Sequence, residues 1–119
     1  MILVDTSVWV DYLRSGRGQL KSLLENAQVL AHPCVIGELA CGNLQNRTEI
    51  LELLRRLPMA TSASDHEVLH FIEQHRIMGR GVGYIDVQIL ASTRLSHDTQ
   101  LWTRDKRLAA VASELSVAH

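Results

Sequence analysis

The first four residues, Met1-Ile2-Leu3-Val4, are apolar without interruption. A strand with one wet face alternates in polarity, whereas a strand covered on both faces reads as a continuous apolar run. Such a strand belongs inside a parallel sheet flanked by helices, and parallel neighbours need crossover connections that are usually helical. The rest of the chain alternates accordingly. Thr6 or Ser7 is placed to cap a helix through about Leu13, with Val8, Trp9, Tyr12 and Leu13 on one side and Gly16 and Gly18 breaking it. Leu20, Leu23, Leu24 and Ala27 mark a second helix. Val29-Leu30-Ala31 reads as a second strand, and Pro33 suits the start of a helix over 34–41 that ends at Gly42-Asn43.

Ile50, Leu51, Leu53, Leu54 and Leu57 form another apolar face, stopped by Pro58, with a weak strand over Met59–Thr61. Ser64-Asp65-His66-Glu67 has the form of a capping box and opens a helix to about Met78. Residues 79–84 are glycine-rich and predict a loop, after which Asp86 opens a helix with Val87, Ile89, Leu90 and Ala91 toward the core. Leu101-Trp102-Thr103 predicts a strand, residues 108–112 a helix, and the C-terminus a final short strand. The pattern predicts an α/β fold, a three-layer α/β/α sandwich around a short parallel sheet of three to five strands. With 119 residues and no linker, repeat or low-complexity stretch, residues 1–119 are expected to form a single domain.

Four acids fall where an apolar strand gives way, or just inside a helix: Asp5, Glu38, Asp86 and Asp105. In open parallel sheets, ligands bind beyond the carboxyl ends of the strands, so acids at those ends can converge although distant in sequence. Asp5 is superfluous as a cap because two hydroxyl residues follow it. Glu38 interrupts an apolar helix and has no Lys or Arg at i±3 or i±4 to pair with. Asp86 and Asp105 each begin a helix, where an acid is also favoured by the helix dipole. Asp11, Asp65 and Asp98 sit on polar faces or in turns and are expected to be solvated. A carboxylate cluster without sulfur or imidazole suits a hard divalent cation, Mg²⁺ or Mn²⁺, and hence phosphodiester hydrolysis.

The formal net charge of −1 argues against a polyanionic partner, but with the four acids set aside the remainder carries +3. Ten of the twelve basic residues are Arg, whose planar fork suits phosphate. Arg80 and Arg104 are candidates for gripping an RNA backbone, and Ser7 and Thr103 for hydrogen bonding near the acids. Cys34 and Cys41 lie two turns apart on one predicted helix, about 10 Å, too far for a disulfide. With no signal peptide and no long apolar run, a cytoplasmic location away from membranes is expected.

Four segments carry a family resemblance: Val4-Asp5-Thr6-Ser7, Ile36-Gly37-Glu38-Leu39-Ala40-Cys41-Gly42, Gly81-Val82-Gly83-Tyr84-Ile85-Asp86 and Leu101-Trp102-Thr103-Arg104-Asp105. In this order and spacing, over almost the whole length, the chain resembles PIN domains, specifically the VapC ribonuclease toxins of bacterial toxin–antitoxin pairs. The resemblance implies a Mg²⁺- or Mn²⁺-dependent endoribonuclease, usually a homodimer, neutralised by a small VapB-like antitoxin. It makes Asp5 and Asp86 the direct metal ligands, with Glu38 and Asp105 completing the acidic pocket and Thr103 lining it. Lys106-Arg107-Leu108 follows the last acid, where many members carry an aromatic residue.

Other chemistries fit the sequence less well. A histidine-based ribonuclease would draw on six His, but His66, His70 and His75 fall at helical spacing on a face expected to be exposed, none at a strand end. An aspartyl-nucleophile phosphatase wants a second Asp two residues after the first, where Ser7 stands. A receiver-like signalling domain with a Mg²⁺-binding acidic pocket wants two adjacent acids after the first strand. Lys106 is near the right place for its basic residue, but Asp5 has no acidic neighbour.

Overall fold

The computed structural model describes residues 1–119. Three parallel strands, β1 (Ile2–Val4), β2 (Val29–Leu30) and β3 (Gln100–Trp102), stand in the order β2-β1-β3. All three β1 residues are buried, as the uninterrupted apolar run requires. Single parallel bridges, Ala31 to Met59 and Leu101 to Ala118, extend the sheet at both edges. The weak strand at Met59 and the final strand therefore exist only as one bridge each.

Seven helices surround the sheet: α1 (Thr6–Ser15), α2 (Gln19–Glu25), α3 (Pro33–Cys41), α4 (Arg47–Arg56), α5 (Asp65–His75), α6 (Tyr84–Leu95) and α7 (Lys106–Glu114). The core joins the strands to Val8 and Trp9 of α1, Val35 and Leu39 of α3, Val68 and Phe71 of α5, four residues of α6 (Val87, Ile89, Leu90, Ala91) and Leu108 and Val111 of α7. Both cysteines are free thiols.

Several boundaries differ from the sequence expectation for identifiable reasons. Neither Thr6 nor Ser7 caps α1; Asp5 holds the N-cap position, and the hydroxyls are spent elsewhere. The helix runs on to Ser15, and Gly16 closes it at φ 67°, donating its N–H to the Tyr12 carbonyl. Ala27 lies past the end of α2, with φ 53°. On α4 Leu54 is buried, Ile50, Leu51 and the C-cap Leu57 pack partly against the core, and only Leu53, 56% exposed, is left off that face. The capping box at Ser64 and Glu67 forms as expected, but α5 stops at His75. Arg76 turns left-handed at φ 51°, and Ile77 donates back to the Ile72 carbonyl before entering the core, a Schellman-type ending. Tyr84 belongs to α6, making Asp86 its third residue.

Candidate active site

Asp5 ends β1 in an extended conformation, 5% exposed, and its side chain caps nothing. Its Oδ2 instead accepts from Thr103 Oγ1 at 2.7 Å and Ser7 Oγ at 3.0 Å. Each hydroxyl in turn accepts a backbone N–H from the segment after β3: Ser7 from Arg104 at 3.0 Å, Thr103 from Asp105 at 3.1 Å. The two hydroxyls thus relay backbone donors to one carboxylate oxygen and pin it between β1 and the start of α7. No protein donor occupies Oδ1. Glu38, exposed on α3, accepts from Thr6 Oγ1 at 2.6 Å. The consecutive residues Asp5, Thr6 and Ser7 therefore organise both the buried and the exposed acid.

Asp86 occupies the third position of α6, close to the Gly83 backbone N–H, which favours its charged form. Asp105 is the N-cap of α7, with Oδ1 accepting from Arg107 N at 2.9 Å and Leu108 N at 3.1 Å. Both cap bonds fall on Oδ1, and the carboxylate also acts on Asp86 through its charge.

The four acids share one field. Burial, then Asp5, Asp105 and finally Glu38 push the Asp86 carboxyl above its ordinary range, against the opposing pull of the Gly83 N–H. No basic side chain neutralises the group, since the ion pairs lie elsewhere: Arg80 with Glu114, Arg104 with Asp11, and His97 with Asp98. As the side chains stand, no three of them form a closed ligand set. The donors are nevertheless all oxygen, Asp5 Oδ1 is unclaimed, and the uncompensated repulsion at Asp86 is relieved by positive charge. That combination fits a hard divalent cation coordinated partly by water.

All four acids named from the sequence are thereby brought together, with Ser7 and Thr103 touching Asp5. Arg80 and Arg104 are both engaged with acids of their own, at the surface; Asp11, expected to be merely solvated, is the partner of Arg104. His66 and His70 lie exposed on α5, while His75 is half-buried against Phe71.

Sequence reasoning missed three contributors. Thr6, a cap candidate by its place in the sequence, is instead the tether of Glu38. His32, 1% exposed, N-caps α3 by accepting the Cys34 N–H on Nδ1 at 3.0 Å, so Nε2 carries the proton toward Ser92 Oγ of α6 at 3.0 Å. This contact joins the Glu38 helix to the Asp86 helix. Pro33 at the first helical position was the available signal, because it puts His32 at the cap. Arg107 packs on the backbone of Gly81, where an added Cβ would meet Nη1 at 2.6 Å, tying the loop before α6 to α7.

Residues 2–114 match the family described as PIN domain. The chain is 43% identical over 118 residues to "Ribonuclease VapC32" of Mycobacterium tuberculosis (strain CDC 1551 / Oshkosh), covering 99% of this chain and 95% of that protein. The protein of the same name from strain ATCC 25618 / H37Rv gives the same figures. Among solved structures, FitAcB from Neisseria gonorrhoeae aligns with a TM-score of 0.63 at 20% identity, over 99% of this chain and 95% of that one. At that identity the likeness concerns the fold.

Proposed function

The chain belongs to the PIN domain family, among the VapC ribonucleases, and from this we propose that it is a metal-dependent endoribonuclease, the toxin of a toxin–antitoxin pair. The observation that carries the reading is the convergence of Asp5, Glu38, Asp86 and Asp105 at the carboxyl end of the sheet with no basic side chain among them. Asp5 and Asp86 would hold a Mg²⁺ or Mn²⁺ ion, with Glu38 and Asp105 orienting its waters. The bound ion supplies charge against the phosphate oxygens and makes water acidic enough to attack at neutral pH.

The protein's own part is to hold that constellation still. Ser7 and Thr103 fix one Asp5 oxygen and leave the other open. Thr6 orients Glu38 from the same strand end. Asp105 stays anchored to α7 through the two cap bonds to its Oδ1. Residues 1–119 act as a single nuclease domain. No helix is long and apolar enough to cross a membrane, in keeping with a cytoplasmic enzyme acting on cellular RNA.

The test is cleavage of single-stranded RNA by purified protein with Mg²⁺. Asp5→Asn and Asp86→Asn should each lose about 10²-fold or more in rate, and the products should carry 5′-phosphate and 3′-hydroxyl ends. Cyclic 2′,3′-phosphate ends would transfer the chemistry to a histidine mechanism. A VapB-like antitoxin would silence the pocket with an Arg, whose fork pairs with carboxylates and keeps its proton. Its remaining contact would run past Glu38 to α4, where Leu53 is 56% exposed; Leu39 beside Glu38 is buried in the core and takes no part. Exposed apolar positions elsewhere leave room for a homodimer contact. Changing that antitoxin Arg to Ala should restore cleavage while leaving the complex intact.

A further inference from the structure

A groove of about 300 Å³ opens beside the acidic pocket, bounded by α1, the turn into α2 and the end of β3. Val8, Asp11 and Tyr12 line it from one face of α1, and Ser15 continues that face away from Asp5. The face runs about 10 Å along the helix. The groove and the acidic pocket share a wall. Arg104 lines the groove with its side chain, while its backbone N–H donates to Ser7 Oγ, the hydroxyl that donates to Asp5.

The lining has the composition that single-stranded nucleic acid selects. Arg17 and Arg104 supply two guanidinium groups against one carboxylate, Asp11, a local positive excess in a chain of net charge −1. Arg104 spends only Nε on Asp11, at 2.7 Å, so both terminal nitrogens remain for an incoming anion. Arg17 has no acidic partner. It lines the groove from the turn between Gly16 at φ 67° and Gly18 at φ 110°. Two half-buried rings complete the lining, and each is braced from behind. Trp102 leans on His119 with centroids 5.3 Å apart, and Tyr12 meets the edge of Trp9 at 6.1 Å. Aromatic rings beside a cationic groove are how proteins take unpaired bases and their phosphates together.

We propose that this groove is the subsite for the single-stranded RNA flanking the scissile phosphate, with Arg17 and Arg104 on backbone phosphates and Tyr12 or Trp102 against a base. The proposal rests on the ribonuclease reading and assigns the path of its substrate. Asp11 holds the Arg104 fork in position until a phosphate shares it.

Binding separates this proposal from the parent reading. The full chain carrying Asp86→Asn is titrated with a fluorescein-labelled single-stranded oligoribonucleotide of mixed sequence, and anisotropy is followed across a salt series. Adding Arg17→Ala should weaken binding about fivefold at 0.1 M salt and lower the slope of log K against log salt by about 0.7, the signature of one lost phosphate contact on a single strand. Arg17→Lys should keep the slope. Tyr12→Leu should weaken binding with the slope unchanged. Arg17 is exposed on a turn, so an unaltered melting curve for its variants excludes misfolding. If wild-type protein cleaves RNA but Arg17→Ala alters neither affinity nor slope, the groove is not the RNA path and the ribonuclease reading stands. If Arg17→Ala spares RNA binding and weakens antitoxin binding, the groove takes a peptide, and this proposal is overturned. If the Asp86→Asn protein binds no RNA and wild type cleaves none, both fall.

Discussion

Replacing Asp86 by Asn should destroy activity and, without metal, make the protein more stable. Asp86 is where the field of the other acids falls. Burial and then the charges on Asp5, Asp105 and Glu38 raise its carboxyl above the ordinary 3.8. At an effective dielectric of 20, unit charges about 4 Å apart repel by about 4 kcal/mol and wider pairs by proportionally less, and half-exposure to water reduces that by about half. Asn keeps the shape and presents an amide oxygen to the Gly83 N–H, so the substitution removes the repulsion and little else. The gain should be about 1–2 kcal/mol, or about 3–10 °C in melting temperature for a domain of this size. The sign with pH follows from linkage. A carboxyl raised in the folded state costs nothing below its unfolded pKa, and its full cost is present only above the folded one. The difference between variant and wild type should therefore open as pH rises from about 3.8 and be complete near neutrality. Thermal melts in EDTA at several pH values measure it, and Mg²⁺ should narrow or reverse the gap by stabilising wild type alone. An Asp86→Asn protein that melts at or below wild type at pH 7 in EDTA would refute the convergence of charge.

Three further outcomes follow from named contacts. Burial holds the His32 imidazole below its ordinary 6.5, against a smaller opposing effect of Gln88. The unfolded chain therefore takes up the proton first, and stability should fall as pH drops below about 6.5 toward the lower folded value. His32→Asn, which keeps a cap, should be less stable at pH 7.5 by about 2–3 kcal/mol but show a shallower loss in urea melts down to pH 5. The residual slope belongs to His75, which is lowered by burial, Arg94 and His70. Thr103→Val removes the 2.7 Å donor to buried Asp5 and strands the Asp105 N–H. It should cost about 1.5–3 kcal/mol in denaturant unfolding and slow cleavage, whereas an unchanged midpoint would mean that Asp5 is held by Ser7 alone. Ser64→Ala removes the acceptor of the Glu67 N–H in the α5 capping box, leaving the Ser64 N–H on Glu67 in place, and should cost about 1 kcal/mol in the same assay without touching activity.

What the chain determines by itself is whatever fits inside one pleat or one helical turn. The unbroken Ile2-Leu3-Val4 run demands cover on both faces and receives it. Ser64 and Glu67 are three residues apart and find each other within the first turn of α5. The inward side of α6 is legible because Val87, Ile89, Leu90 and Ala91 are spaced for it. Asp5, Asp86 and Asp105 are legible as candidates because strand ends and helix starts leave local marks, and Glu38 because it interrupts an apolar helix; a parallel sheet gathers its carboxyl ends at one side. Their partners left no such mark. Thr103 reaches Asp5 across 98 positions, His32 reaches Ser92 across 60, and Thr6 turns to Glu38 across 32 instead of capping its own helix. A hydroxyl beside a helix start has a local use and a distant one, and the choice depends on which acid the crossovers bring within 3 Å. The same holds for Arg104, whose pairing with Asp11 exists only because β3 lies beside β1 and delivers its end to α1. Tertiary structure decided these bonds because strand register sets distances that no interval along the chain encodes.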